Sequence, residues 1–264
     1  MHLRFTQIDA FTDTPFTGNP AAICVLTQPI NDARMQHIAR EMNLSETAFL
    51  LRRPDGSYDL RWFTPTIEVA LCGHATLAAT QALLENGQIQ VGQIVQFHTK
   101  SGVLQAKHDG DWIELDFPAT IAEACDAPPG LTDALGVTAV HVAKSRFDYL
   151  VEVPDEAAVR SATPDHGQLR ALPVRGVMIT SAASTPGVDF VSRFFAPGSG
   201  IDEDPVTGSA HCALTPFWSQ RLGKAELVAH QLSPRGGVLR LRLDGDRVHL
   251  AGQAVTVLRG EILV

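Results

Sequence analysis

Three side chains able to move a proton stand beside elements that begin abruptly: Glu46, His74 and Asp204. Glu46 lies between Ser45 and Thr47, after one helical pattern and before an apolar strand. His74 falls in Cys72-Gly73-His74-Ala75-Thr76, in the first turn of a second helical run. Asp204 closes the acidic stretch Asp202-Glu203-Asp204, just ahead of Thr207-Gly208-Ser209-Ala210-His211, where a third run opens. A carboxyl group kept partly dry has its pKa pushed toward neutral pH, which suits proton transfer at carbon. The first N–H groups of a helix bind anions, and Gly73 and Gly208 let a ligand approach that backbone closely. Two such starts facing each other across one cleft would suit a small carboxylate. Taken singly, each residue also has a plain reading. Glu46 reads as a surface glutamate, His74 as a hydrogen-bonded core histidine, and Asp204 as an acid favoured by the helix dipole. Either glycine alone reads as a simple cap.

What argues for a site is repetition. Phe63-Thr64-Pro65, then Glu68, then the Cys72 motif is echoed by Phe195-Ala196-Pro197, then Asp202 to Asp204, then the Thr207 motif. The helical runs that follow, 73–84 and 208–220, contain no Asp, Glu, Lys or Arg, and their apolar residues surround the axis. A helix apolar all round yet too short for a bilayer belongs inside a protein core. Strand patterns flank each: 94–99, 102–107 and 112–117 for the first, 238–243, 247–251 and 254–258 for the second. Earlier come strands at 3–9, 21–26, 47–51 and 58–63, a turn at 14–20, and a helix at 32–42 with Met35, Ile38, Ala39 and Met42 on one face. The expected architecture is α/β (α+β). It has two similar domains, 1–118 and 119–264, each a mixed, largely antiparallel sheet wrapped around a central helix. The boundary falls where alternation stops near 118–129. The last residues either finish the second domain or cross back to the first. Pro216 is expected to kink the second central helix or end it early.

Composition removes several classes. A formal charge of −8 argues against nucleic-acid and anionic-membrane partners. Around Arg235 to Arg242 the local basic run reads as a solvated strand face of alternating Arg and Leu. The start of the chain shows no secretory leader, so the expectation is a cytoplasmic protein without membrane spans. Cys24, Cys72, Cys125 and Cys212 are widely spaced, matching neither a disulfide framework nor a zinc motif, and the histidines lack ligand spacing, so no metal is expected. Dinucleotide, P-loop, metalloprotease and hydrolase-elbow motifs are absent.

The chain as a whole resembles the phenazine-biosynthesis PhzF-like family. The resemblance is carried by Asp9-Ala10-Phe11-Thr12 with Phe16-Thr17-Gly18-Asn19-Pro20-Ala21-Ala22, by Asn43 to Phe49, by Cys72 to Thr76, by Asp204 to Ala210, and by Ala251-Gly252-Gln253-Ala254-Val255 running to Gly260-Glu261. It implies a diaminopimelate-epimerase-like fold, an active site between the domains, a homodimer and no cofactor. It further implies a cofactor-independent isomerase moving a proton on a small carboxylic acid, a cyclic amino acid in the phenazine enzyme. Glu46 would be the general acid/base, with His74 and Asp204 as its polar partners. Ser45, Gly73, Ala75, Gly208 and Ser209 would hold the substrate. Related racemases of this fold use two thiols. Here Cys72 stands at the first thiol position, and Cys212 comes one turn too late to be the second. Alternatives are an epimerase using Cys72 with Asp204, and a non-catalytic small-carboxylate-binding protein. Ser233-Pro234-Arg235-Gly236-Gly237 departs from the family's late Gly-Arg-Pro-Ser pattern.

Overall fold

A computed structural model describes residues 2–263. The chain forms two compact units, Met1–Asp116 with Ala251–Val264, and Phe117–Leu250. The first unit runs β1 (His2–Ala10), β2 (Asn19–Leu26), α1 (Asp32–Met42), β3 (Glu46–Arg52), β4 (Tyr58–Phe63), β5 (Glu68–Val69), α2 (Gly73–Glu85), β6 (Ile94–Thr99), β7 (Gly102–Asp109) and β8 (Trp112–Pro118). β1 pairs antiparallel with β2, and β2 runs parallel to β3 through α1. β3 is antiparallel to β4, which runs parallel to β6 through α2. One face of this sheet takes Met35, Ile38 and Ala39 of α1 against Leu3, Cys24, Leu26, Phe49 and Phe63. α2 packs on β1, β2, β3 and β7.

The second unit repeats the scheme. It contains β9 (Glu123–Ala124), α3 (Leu131–Leu135), β10 (His141–Lys144), β11 (Asp148–Glu152), α4 (Glu156–Ser161), α5 (His166–Arg170), β12 (Gly176–Ala182), β13 (Phe190–Ala196), β14 (Ile201–Asp204), α6 (Gly208–Leu222), β15 (Glu226–Gln231), β16 (Gly237–Asp244) and β17 (Arg247–Gly252). β11 runs parallel to β12 through α4 and α5. β12 is antiparallel to β13, and β13 runs parallel to β15 through α6. Leu131, Leu135, Val159 and Leu169 of the short helices pack with Val151, Val177, Ile179 and Val191 of the strands. α6 packs on β15 and β16, and its Trp218 stacks on Phe190 and donates to the Thr180 hydroxyl at 2.9 Å.

The last strand, β18 (Ala254–Leu263), pairs antiparallel with β1 from Ala10 to His2. Of the two courses left open for the last residues, the chain takes the second: this strand lies in the first unit, where the ladder with β1 satisfies the backbone of both strands. Chain positions 1 and 264, the outer ends of the expected domains, lie outside the described residues. Gly252 leads into this strand, and a Cβ there would come within 2.3 Å of Phe11 and 2.9 Å of Leu77 on α2. That close approach accounts for glycine at the crossing.

Both central helices are buried almost all round, as expected. Their internal hydroxyls bond back to carbonyls one turn earlier: Thr80 to Thr76 at 2.9 Å in α2, Thr215 to His211 at 2.6 Å in α6. Pro216 does not end α6 early: the helix continues to Leu222 and stops at Gly223, whose φ of 66° suits a left-handed cap. The carbonyl that Pro216 has no N–H to serve is that of Cys212, and it accepts the Thr120 N–H at 2.9 Å instead. With that acceptor satisfied, the main polar cost of an internal proline is removed.

Candidate active site

At the head of α2 the first unit brings three sequence-predicted residues together. Cys72 is the N-cap and His74 lies in the first turn; Glu46 opens β3. The fold therefore sets the start of a strand beside the start of a buried helix. His74 Nε2 lies 3.1 Å from Glu46 Oε2, with the two side chains 7% and 12% exposed. These two buried atoms form an ion-pair contact, and neither has another partner among the described residues. On the other side of the ring, His74 Nδ1 lies 3.5 Å from Cys72 Sγ. Burial by itself disfavours an imidazolium here, but the Cys72 sulfur and the Glu46 carboxylate outweigh it and raise His74 well above the ordinary histidine pKa. Burial, reinforced by the Glu46 charge, pushes the Cys72 thiol up to about 11. At neutral pH Cys72 is thus a thiol, and His74 holds its proton beside Glu46. Ser45 and Gly73 are half-buried beside this group, and Ala75 is fully buried.

Glu46, Cys72 and His74 also form a candidate metal-binding group, which spacing in the sequence did not show: one donor atom from each lies within 4.8 Å of the others. The fit is poor. Cys72 Sγ and Glu46 Oε2 face opposite nitrogens of one ring, so a single ion would meet both only after the ring or the carboxylate turned. It would also need the thiol to lose a proton that burial retains.

In the second unit, Asp204 ends β14 and Thr207 is the N-cap of α6. The Thr207 hydroxyl turns away from the helix and donates to Asp204 Oδ2 at 2.5 Å. Gln231, at the end of β15 and 1% exposed, clamps both residues. Its Oε1 accepts the Thr207 N–H at 2.8 Å, and its Nε2 donates to the Asp204 carbonyl at 2.7 Å. Ser233 adds a bond from its hydroxyl to the Pro205 carbonyl at 2.7 Å, so the departing Ser233–Gly237 segment has a structural task. Gly208 is buried, and Ser209 is half-buried with its hydroxyl 2.9 Å from Nη1 of Arg175. Sequence reasoning missed Gln231, Thr207 and Arg175. Gln231 carried no local signal, because its partners lie on another element. Thr207 could have been found as the counterpart of Cys72 in the repeat.

The family "Phenazine biosynthesis-like protein" (PhzC-PhzF) matches residues 8–260. The chain belongs to this PhzF-like isomerase family. An uncharacterized isomerase of Halalkalibacterium halodurans is 50% identical over 258 residues, covering 97% of each chain. A crystal structure of a PhzF family protein of Enterococcus faecalis superposes with a TM-score of 0.96 at 40% identity, over 100% of both chains. A hydroxyproline epimerase of Agrobacterium vitis, with trans-4-hydroxy-L-proline bound, has a TM-score of 0.66 at 11% identity, over 99% of this chain and 92% of that one. The last shows the epimerase-like fold alone. Among the described residues no helix is long and apolar enough to cross a membrane.

Proposed function

We propose that the protein is a cofactor-independent isomerase that moves a proton on a small amino or hydroxy carboxylic acid, cyclic or linear. The observation that carries this is the buried Glu46–His74 contact at 3.1 Å. In the proposed step Glu46 accepts a proton from a substrate carbon while His74 keeps its own. The C–H bond breaks, an O–H bond forms on Glu46, and the electron pair spreads into the adjoining unsaturated or carboxyl group. Glu46 then returns the proton to another carbon of the same system, and no electron leaves the substrate. His74 backs the Glu46 carboxyl group at 3.1 Å and fixes it beside the start of α2. Asp204, held by Thr207 and Gln231, is the second polar partner on the substrate, and the helix starts at Gly73 and Gly208 carry its carboxylate. That both half-sites act on one substrate, in the interdomain cleft that family resemblance implies and in a homodimer, is part of this proposal.

A second reading draws on the Cys72–His74 contact at 3.5 Å, which suits an epimerase using the thiol with Asp204. The buried thiol, held protonated to about pH 11, favours the carboxylate mechanism instead.

The test is solvent deuterium incorporation, followed by NMR and mass spectrometry, into a panel of cyclic and linear amino and hydroxy acids. Wild type and Glu46→Gln are run together. Exchange in the wild type, reduced about 10²–10⁴-fold in the variant, is expected. Equal exchange in both removes Glu46 from the mechanism. Binding without exchange in the wild type turns the assignment to a carboxylate-binding protein.

A further inference from the structure

Strand register aligns the two units in sequence. Thr47 pairs with Phe63 across β3 and β4, and Val177 pairs with Phe195 across β12 and β13. Since Phe63-Thr64-Pro65 corresponds to Phe195-Ala196-Pro197, Glu46 corresponds to Gly176 and Ser45 to Arg175. The two N-caps, Cys72 and Thr207, place Asp204 opposite Val69 and Ser209 opposite His74. The second unit thus has no carboxylate where the first has its proton carrier. It has an arginine one residue earlier, at the position of Ser45.

Arg175 is held as a fixed group rather than a loose surface cation. Its Nε donates to Asp148 Oδ1 at 2.9 Å and its Nη2 to Asp148 Oδ2, a two-pronged contact with a carboxylate whose residue is 2% exposed. The guanidinium carbon lies 5.2 Å from the Phe147 ring centroid and 5.5 Å from that of Phe194. The remaining edge carries Nη1, which donates to Ser209 Oγ at 2.9 Å. That bond occupies one lone pair of the hydroxyl and leaves its O–H available as a donor. Three of the five guanidinium N–H groups are used in this way, and two have no protein partner among the described residues. The side chain is 37% exposed, so the guanidinium is not sealed inside the core.

We propose that Arg175 is a positioning residue for the substrate's carboxylate, fixing the Ser209 hydroxyl as a donor and presenting positive charge at the start of α6. The division of labour follows from the aligned positions: one unit supplies the proton carrier, the other the fixed cation. The inference rests on the proposed function only for the nature of the substrate, a small carboxylic acid.

The test compares the affinity of 2-aminobenzoate and trans-4-hydroxyproline with that of their carboxamides, by calorimetry. Proteins tested are the wild type, Glu46→Gln, Ser209→Ala, Arg175→Lys, and Arg175→Met combined with Asp148→Asn so that no buried charge is left unpaired. Wild type and Glu46→Gln are expected to prefer at least one acid over its amide by about tenfold or more. Arg175→Met/Asp148→Asn should erase that preference, and Arg175→Lys and Ser209→Ala should reduce it. Combining Ser209→Ala with Arg175→Met/Asp148→Asn should add little, because both disable one device. With any acid that is turned over, KM should rise while kcat stays within about twofold. Wild-type acid preference in a folded Arg175→Lys or Arg175→Met/Asp148→Asn protein overturns the proposal. So does the lack of acid preference in the wild type. Acid preference dependent on Arg175 without any proton exchange would sink the isomerase reading and leave this one standing. Exchange with unchanged KM in the arginine variants would do the reverse.

Discussion

Gln231 tests how the second half-site is built, because one buried side chain there bonds the backbone of both Thr207 and Asp204. Replacing it with Met keeps nearly the same volume and deletes the polar contacts. The Thr207 N–H and the Asp204 carbonyl then lose partners at 2.8 and 2.7 Å, while the weaker contact of Nε2 with the Thr207 hydroxyl at 3.3 Å counts for little. A buried backbone group left without a partner costs about 1–3 kcal/mol, so Gln231→Met should destabilise the protein by roughly 3 kcal/mol. Gln231→Ala loses the same bonds and leaves a cavity as well, adding about 1 kcal/mol or more. Urea denaturation at pH 7 measures both, with the slope of the transition as a check that the unfolded state is unchanged. Because Thr207 holds Asp204, turnover should fall in the Met variant even where the protein is fully folded. A loss below about 1 kcal/mol in Gln231→Met would refute the idea that Gln231 organises the start of α6.

Three further outcomes are expected. Iodoacetamide at pH 7 should label exposed Cys125 well before Cys72, whose burial pushes its pKa to about 11, and Cys72→Ser should keep turnover within about tenfold of wild type. Loss of all proton exchange in Cys72→Ser would favour the thiol mechanism. His211 is fully buried, stacks on Phe190, and has its pKa lowered from 6.5 to about 4 by burial, against the pull of the Thr207 carbonyl. Its neutral form is the one folded, so its contribution is present above pH 6.5 and is lost as pH falls through about 4, by roughly 3 kcal/mol. His211→Leu should flatten urea stability between those pH values; an unchanged slope would remove His211 as the cause. His74 has the opposite sign. Its raised pKa gives stability that is complete below the ordinary histidine pKa and is lost as pH rises through the folded value, so Glu46→Gln should weaken this alkaline dependence. Equal pH profiles of wild type and Glu46→Gln on the alkaline side would contradict it.

Periodicity and repetition make much of this molecule legible in its sequence. Charge-free runs after Cys72 and Thr207 identify two buried helices, since burial in a core is what lets twelve and thirteen residues in a row go without a charged side chain. The motifs around Glu46, His74 and Asp204 stand out because short-range spacing puts them at element starts, whereas the pairing of Glu46 with His74 follows only from family resemblance. Tertiary structure decided the rest. Whether Pro216 breaks α6 depends on Thr120, which fills the acceptor the proline leaves, and that partner lies far away in sequence. Where the final strand goes depends on which open edge it satisfies, and the edge proved to be β1. Gln231 and Arg175 gain their roles from hydrogen bonds to residues 24 and 34 positions away, across elements that only folding brings side by side. Local pattern records the face a residue buries. Hydrogen-bond partners and pKa values depend on what the rest of the chain brings to that face, and no window of sequence contains both.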